Sequence, residues 1–187
     1  AWGCRWDVRL GAGNGGGPAG GRLGVSAQDI DAGYSAPGRK PQTDTDQYGG
    51  VWRVPVTPGV DVVAKADRVV QDDALETLAA EVDVTYQVSD AWSVQVGARH
   101  DERDDNSNAV VATQDQGDRT DTVVQVDFDT KAGLRTYAFG QATVRSTRDR
   151  EENHRGGVGG AYRINEKVSV DGEASHGTLG TAAQVGA

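Results

Sequence analysis

The sequence predicts an all-β fold, an antiparallel up-and-down meander forming part or all of a transmembrane β-barrel. Three observations carry this. Apolar and polar residues alternate with period two along most of the chain. Short turns take turns with longer polar segments. Aromatic residues gather beside the short turns. Composition agrees: of 187 residues only 36% are hydrophobic, with 26 glycines and no methionine, against about 45–50% apolar in a soluble domain. So apolar-poor a chain fills a compact core with difficulty. A sheet with one face to lipid and one to water needs less apolar material.

The alternation can be followed in order. Trp6, Val8 and Leu10 alternate with Arg5, Asp7 and Arg9 at the start. Residues 11–47 are Gly- and polar-rich and poorly phased. Over 60–67, Val60, Val62, Ala64 and Ala66 stand against Asp61, Lys65 and Asp67, with Val63 breaking the polar side. The clearest run is 78–86, where Leu78, Ala80, Val82, Val84 and Tyr86 enclose Ala79, Glu81, Asp83 and Thr85. Trp92, Val94, Val96 and Ala98 then face Ser93, Gln95, Arg99 and Asp101. Val124, Val126 and Phe128 face Gln125, Asp127 and Asp129, and Val168 and Val170 face Ser169, Asp171, Glu173 and Ser175. Period two puts each set on its own side of a strand; a helix would place Glu81 and Val84 together. Extending the phrasing gives about eleven strands, the last near 179–187, each close to the length of a membrane-crossing strand.

Short turns are read at Thr57-Pro58-Gly59, Ser89-Asp90-Ala91, Thr130-Lys131-Ala132-Gly133 and Asn165-Glu166-Lys167, and longer polar segments at 71–77, about 102–120 and 147–156. Membrane barrels have short turns on one side and long loops on the other. Trp52, Tyr86, Trp92, Phe128, Tyr137 and Tyr162 lie within a few residues of the short turns. This suits a girdle at the lipid interface, with Trp52, Tyr86, Trp92, Phe128 and Tyr162 as the interface residues.

Several function classes fall away. A net charge of -9 gives no basic footprint for nucleic acid. Cys4 stands alone, so neither an internal disulfide nor a cysteine metal cluster is available. No apolar run reaches the roughly 18–20 residues of a membrane helix, and the first residues have no signal-peptide pattern. His100, His154 and His176 have no nucleophile and orienting group at catalytic spacing, so no enzyme and no catalytic residue is expected. The acidic stretch Asp101-Glu102-Arg103-Asp104-Asp105-Asn106-Ser107-Asn108 lacks the calcium-loop pattern and reads as a hydrated loop. Gly11 to Gly17 lacks the Lys-Ser/Thr of a phosphate loop and reads as a linker. No metal and no cofactor is expected.

The wet face is the informative one. If the apolar face meets lipid, the lumen receives Asp61, Lys65, Asp67, Glu81, Asp83, Arg99, Asp127, Asp171 and Glu173, together with Arg53, Asp101 and Asp129. Acidic groups outnumber basic ones in that set. It can serve as a cation-favouring water path or as a wall of charges paired across strands.

A resemblance supports this reading. Gly33-Tyr34-Ser35-Ala36-Pro37-Gly38, Ala64-Lys65-Ala66-Asp67, Trp92 through Asp101, Gln116-Gly117-Asp118-Arg119-Thr120-Asp121 and Val170-Asp171-Gly172-Glu173-Ala174-Ser175 resemble the barrel portion of very large, repeat-bearing proteobacterial outer-membrane proteins of the TonB-dependent-receptor-like or OmpA-like kind. The likeness implies the bacterial outer membrane and a longer parent chain, and no particular substrate. Neither a receptor plug nor a peptidoglycan-binding module is recognisable.

Residues 1–187 are thus expected to be a single β-barrel segment. An odd strand count and a last segment, Gln184-Val185-Gly186-Ala187, without an aromatic suggest a part of a longer chain. Two functions remain open: an outer-membrane pore, transporter or anchor, and a soluble or surface-exposed β-sandwich binding carbohydrate or calcium. Expected partners are outer-membrane lipid or lipopolysaccharide, and the remainder of the parent chain or other copies completing the sheet. The hairpins also predict register. With Val88 opposite Trp92, Glu81 faces Arg99; with Val70 opposite Leu78, Lys65 faces Asp83.

Overall fold

The computed structural model describes residues 2–9, 20–33, 43–71, 75–106, 116–130, 132–147, 150–166 and 168–186. They form eleven strands: β1 (Trp2–Arg9), β2 (Arg22–Ile30), β3 (Thr45–Thr57), β4 (Val60–Gln71), β5 (Leu75–Gln87), β6 (Trp92–Asp105), β7 (Gly117–Asp129), β8 (Leu134–Ser146), β9 (Arg155–Arg163), β10 (Ser169–Gly177) and β11 (Gly180–Gly186). They make one sheet whose spatial order is the chain order, and every neighbouring pair is antiparallel. This is the up-and-down meander that the alternation predicts. The expected neighbours, β4 beside β5 and β5 beside β6, are paired along their full length.

The turns show why the chain reverses where it does. Pro58 and Gly59 join β3 to β4, Gly59 with φ 84. Proline presets the first corner of a tight turn and glycine accepts the positive φ of the second. The Gln87 amide donates to the Gly59 carbonyl at 2.7 Å and the Val88 amide to the Trp92 carbonyl at 2.9 Å. Gly133, φ 91, closes the turn between β7 and β8. Pro55, which has no N–H to give a ladder, sits at a bulge in the β3–β4 register.

Residues of one parity on β5 are exposed while those between them are half-buried. Val82 is 48% exposed and Val96 on β6 is 50% exposed, whereas Asp121 and Asp127 on β7 are 6% and 8% exposed. The sheet therefore curls around its charged side: its concave face is the charged one, its convex face the apolar one. Ile30 is the buried hydrophobic residue among those described, so a compact apolar core is replaced by this two-faced wall.

Four expectations need correction. The polar stretches 71–77 and 102–120 are not loops throughout. β4 runs to Gln71, β5 starts at Leu75, β6 continues to Asp105 and β7 starts at Gly117, because a ladder of backbone hydrogen bonds continues through polar residues as readily as through apolar ones. Lys65 does not face Asp83; it faces Glu81. The hairpin is tighter than polarity suggested, and the two-residue slip preserves both faces because side chains repeat every second residue. Loop length also segregates less strictly. Residues 10–21 join β1 to β2 at the end that carries the short turns, and the tight Thr178–Leu179 turn lies at the other. Finally, Tyr137 points to the concave side rather than into an outer girdle, as its bond to Glu173 requires. The linker at 11–17, Ser107 and Asn108 of the acidic loop, Lys131, Lys167 and most of the 33–38 segment lie outside the described residues.

Candidate functional site

The concave wall is built by strand parity. The register rows place Asp61, Lys65 and Asp67 of β4, Glu81 and Asp83 of β5, Arg99 of β6, Asp127 of β7, and Asp171 and Glu173 of β10 on the same side as the half-buried residues. Arg53, Asp101 and Asp129 share that side. Trp52, Tyr86, Trp92, Phe128 and Tyr162 fall on the convex side with the exposed valines. Trp92 and Phe128, directly opposed on β6 and β7, pack with ring centroids 4.7 Å apart at an interplanar angle of 44°, a favourable aromatic geometry.

One row of opposed residues forms an ionic ladder across four strands: Lys65, Glu81, Arg99 and Asp121 stand side by side from β4 to β7. Lys65 Nζ lies 2.5 Å from Glu81 Oε1, and Arg99 Nη1 lies 3.7 Å from Glu81 Oε2. Arg99 also lies 3.5 Å from Asp101, which holds Arg150 from the connection after β8. Asp121 accepts the Thr143 hydroxyl at 2.6 Å and has Arg119 Nε at 3.0 Å. Asp83 accepts from Gln95 at 3.3 Å. Alternating signs across strands stabilise a sheet by about 0.2–1 kcal/mol per pair, toward the low end where water reaches both partners.

Sequence reasoning misses Arg119 and Arg150, which fall in the polar stretches 102–120 and 147–156, and Asp121, which falls between the first of these and the alternating run 122–129. It misses Arg22, in the poorly phased stretch, which the β1–β2 pairing turns inward beside Arg5, already on the polar side by alternation. The signal was present for Asp121, one step ahead of the alternating run 122–129. With Arg103, Arg135 and Arg155 also inward by register, basic groups nearly match acidic ones on the concave face among the described residues. The acidic excess read from the sequence is largely neutralised.

A second device flattens this wall. Four inward aspartates stand directly opposite an inward glycine: Asp7 and Gly24, Asp67 and Gly49, Asp83 and Gly97, Asp171 and Gly186. A Cβ on Gly97 would lie 2.5 Å from Asp83 Oδ1, on Gly24 2.9 Å from Asp7 Oδ1, and on Gly186 2.6 Å from Asp171 Oδ1; on Gly49 it would collide with Asp67. Each carboxylate therefore lies over its neighbour's bare backbone instead of reaching across the curve. The aromatics do the same. Phe139 lies over Gly157 and Tyr137 over Gly159. Arg155 sits 5.0 Å above the Phe139 ring, a cation–π contact. Polar hollows remain between the flattened groups, one of about 260 Å³ beside Gln125, Asp127, Arg135, Asp171 and Glu173.

Among the described residues no group of three or more metal-ligating side chains gathers in a way that could hold an ion. No helix is long and apolar enough to cross a membrane, which says nothing of strands.

An antiparallel meander with an apolar exposed convex face and a charged concave face is the architecture of porin-like β-barrel membrane proteins. Comparison agrees at the level of fold. The KdgM porin in complex with disordered oligogalacturonate superposes with a TM-score of 0.54 at 9% sequence identity, over 98% of this chain and 87% of that one. No protein-family model matches the chain, and no curated protein matches it. The receptor-like or OmpA-like character named from sequence therefore rests on the quoted segments alone.

Proposed function

We propose that this chain is a wall segment of an outer-membrane channel of the porin kind, a conduit rather than an enzyme. The convex valines and the Trp52, Tyr86, Trp92, Phe128 and Tyr162 aromatics contact lipid; the concave ionic face lines water. The observation that carries the reading is the glycine opposite each of four inward aspartates. Packing against a second layer would favour filling that space. Clearing it keeps charged groups against the wall and leaves a water path open. The likeness to a porin supports the same reading through the fold.

Transport of small hydrophilic solutes follows from such a path. The near-balance of Arg99, Arg119 and Arg135 against Glu81, Asp83 and Asp127 favours weak charge selectivity over a strongly cation-selective pore. The test is planar-bilayer conductance of the full-length protein. Stepwise channels are expected, with a reversal potential that moves toward anion preference in a Glu81→Gln, Asp83→Asn variant. A protein that stays soluble without detergent and yields no channels overturns the reading. It would favour the carbohydrate- or calcium-binding alternative, although the described strands form one sheet with no second sheet packed on their valines.

A further inference from the structure

β8 reverses the assignment of side chains found on β5 and β6. Its outward residues include the small Thr136, Ala138 and Gly140, and between them Tyr137 and Phe139 point inward. The two ring centroids stand 6.4 Å apart, with the planes 30° from parallel. Alternate residues of a strand are about 6.8 Å apart, so the rings lie side by side along the wall. β9 has no side chain beneath them. A Cβ on Gly157 would come within 2.6 Å of Phe139 Cε1, and one on Gly159 would collide with Tyr137.

Covering bare backbone accounts for the rings but not for what surrounds them. Tyr137 borders the hollow of about 260 Å³ that also meets Gln125, Asp127, Arg135, Asp171 and Glu173. At about 30 Å³ per water this holds about nine waters, the room of one sugar ring. Its rim offers both kinds of hydrogen-bonding group. Gln125 donates to Asp127 at 3.0 Å, and Arg135 stands 3.8 Å from the same carboxylate. A hydroxyl both donates and accepts, so a polyhydroxyl ligand matches such a rim. Sites for small ligands join an aromatic surface to a few placed polar groups in this way. Charge disfavours the simpler ligands. Asp127, Asp171 and Glu173 oppose an anion. Arg135 and Arg155 oppose a cation, and Arg155 sits 5.0 Å over the Phe139 ring, on the surface where an ammonium would settle.

We infer that Tyr137 and the hollow beside it form a binding subsite for an uncharged saccharide. The C–H face of a pyranose lies on the Tyr137 ring, and its hydroxyls meet Arg135, Asp127 and Glu173 at the rim. Arg155 already covers Phe139, which leaves Tyr137 as the ring that takes the sugar. The bond from the Tyr137 hydroxyl to Glu173 holds that ring over β9 before any ligand arrives, so little ordering is left to oppose binding. Attachment through one ring is weak, which suits a conduit, since a solute has to leave as well as enter.

This rests on the channel reading, and the experiment separates the two. The full-length protein in planar bilayers is exposed to maltotriose, to a chitosan trimer and to a hexuronate trimer. Brief interruptions of the single-channel current are expected with maltotriose, and with either charged trimer only at about tenfold higher concentration. Tyr137→Leu still covers Gly159 but has no flat ring. It should weaken the maltotriose effect about tenfold, the scale of one aromatic contact. Tyr137→Phe loses the bond to Glu173 but keeps the ring, and should stay within about threefold of the parent. Saturation-transfer NMR on detergent-extracted protein measures the same affinities without any current. The ranking of the three sugars by the unaltered protein stands even where a variant misassembles. Maltotriose binding unchanged by Tyr137→Leu, tighter binding of either charged trimer, or no saccharide binding overturns the inference. Stepwise channels with no sugar bound sink it alone. A protein without channels sinks the channel reading, and the NMR affinities then still decide the subsite.

Discussion

Tyr137 donates its hydroxyl to a carboxylate oxygen of Glu173 two strands away, passing over Gly159, the residue that opposes both in the register. The bond braces β8 to β10 across the inside of the curve. It exists because β9 offers bare backbone where other strands carry side chains.

Gly159→Ala is expected to displace the Tyr137 ring, with which the new Cβ collides. Overpacking of this kind costs about 1–3 kcal/mol. The cost should shrink in the Gly159→Ala, Tyr137→Ala double variant, since neighbours in contact are not additive. Urea unfolding in lipid vesicles measures both. Equal losses with and without Tyr137 would contradict the packing described.

Gly97→Ala tests the flattened wall. Its Cβ would meet the far end of Asp83, a flexible carboxylate, and lie 2.9 Å from Val123 Cγ1. Crowding against Val123 should cost about 1–3 kcal/mol, and the carboxylate moves off the wall. Single-channel conductance is expected to fall, and an Asp83→Ala change in the same background to restore it.

Val96→Arg should prevent membrane assembly. Val96 is on the convex face in the row of Val84 and Val124, where an arginine near the midplane costs about 2–4 kcal/mol. Arg99→Ala, three residues on and facing inward, removes a half-exposed guanidinium that lies 3.7 Å from Glu81 and 3.5 Å from Asp101. A loss below about 1 kcal/mol is expected there. The gel shift between heated and unheated detergent extracts reads both. Normal assembly of Val96→Arg would refute the lipid-facing assignment.

Trp92 and Phe128 should couple. A double-mutant cycle to alanine is expected to return a coupling of about 0.5–1.5 kcal/mol, the double variant losing that much less than the sum of the separate losses. Quenching of Trp92 fluorescence by lipids brominated close to the headgroup should exceed quenching by lipids brominated at the chain ends. Equal quenching would remove the ring from the interface.

The sequence by itself determined the strand class, the neighbour order and the two faces. The period of two is local: Val82, Val84, Glu81 and Asp83 announce their sides without reference to any other strand. The β5–β6 register was equally legible, because the short turn after Val88 fixes the count and brings Glu81 to Arg99. Only the tertiary structure decided the β4–β5 register, since residues 71–77 do not reveal where a polar strand ends and a loop begins. Lys65 consequently pairs with Glu81 and not Asp83. It alone decided the inward turn of Tyr137 and the placing of glycines opposite aspartates. Those depend on which residue of one strand meets which of the next, and cross-strand opposition is a relation between segments that no single run of residues contains.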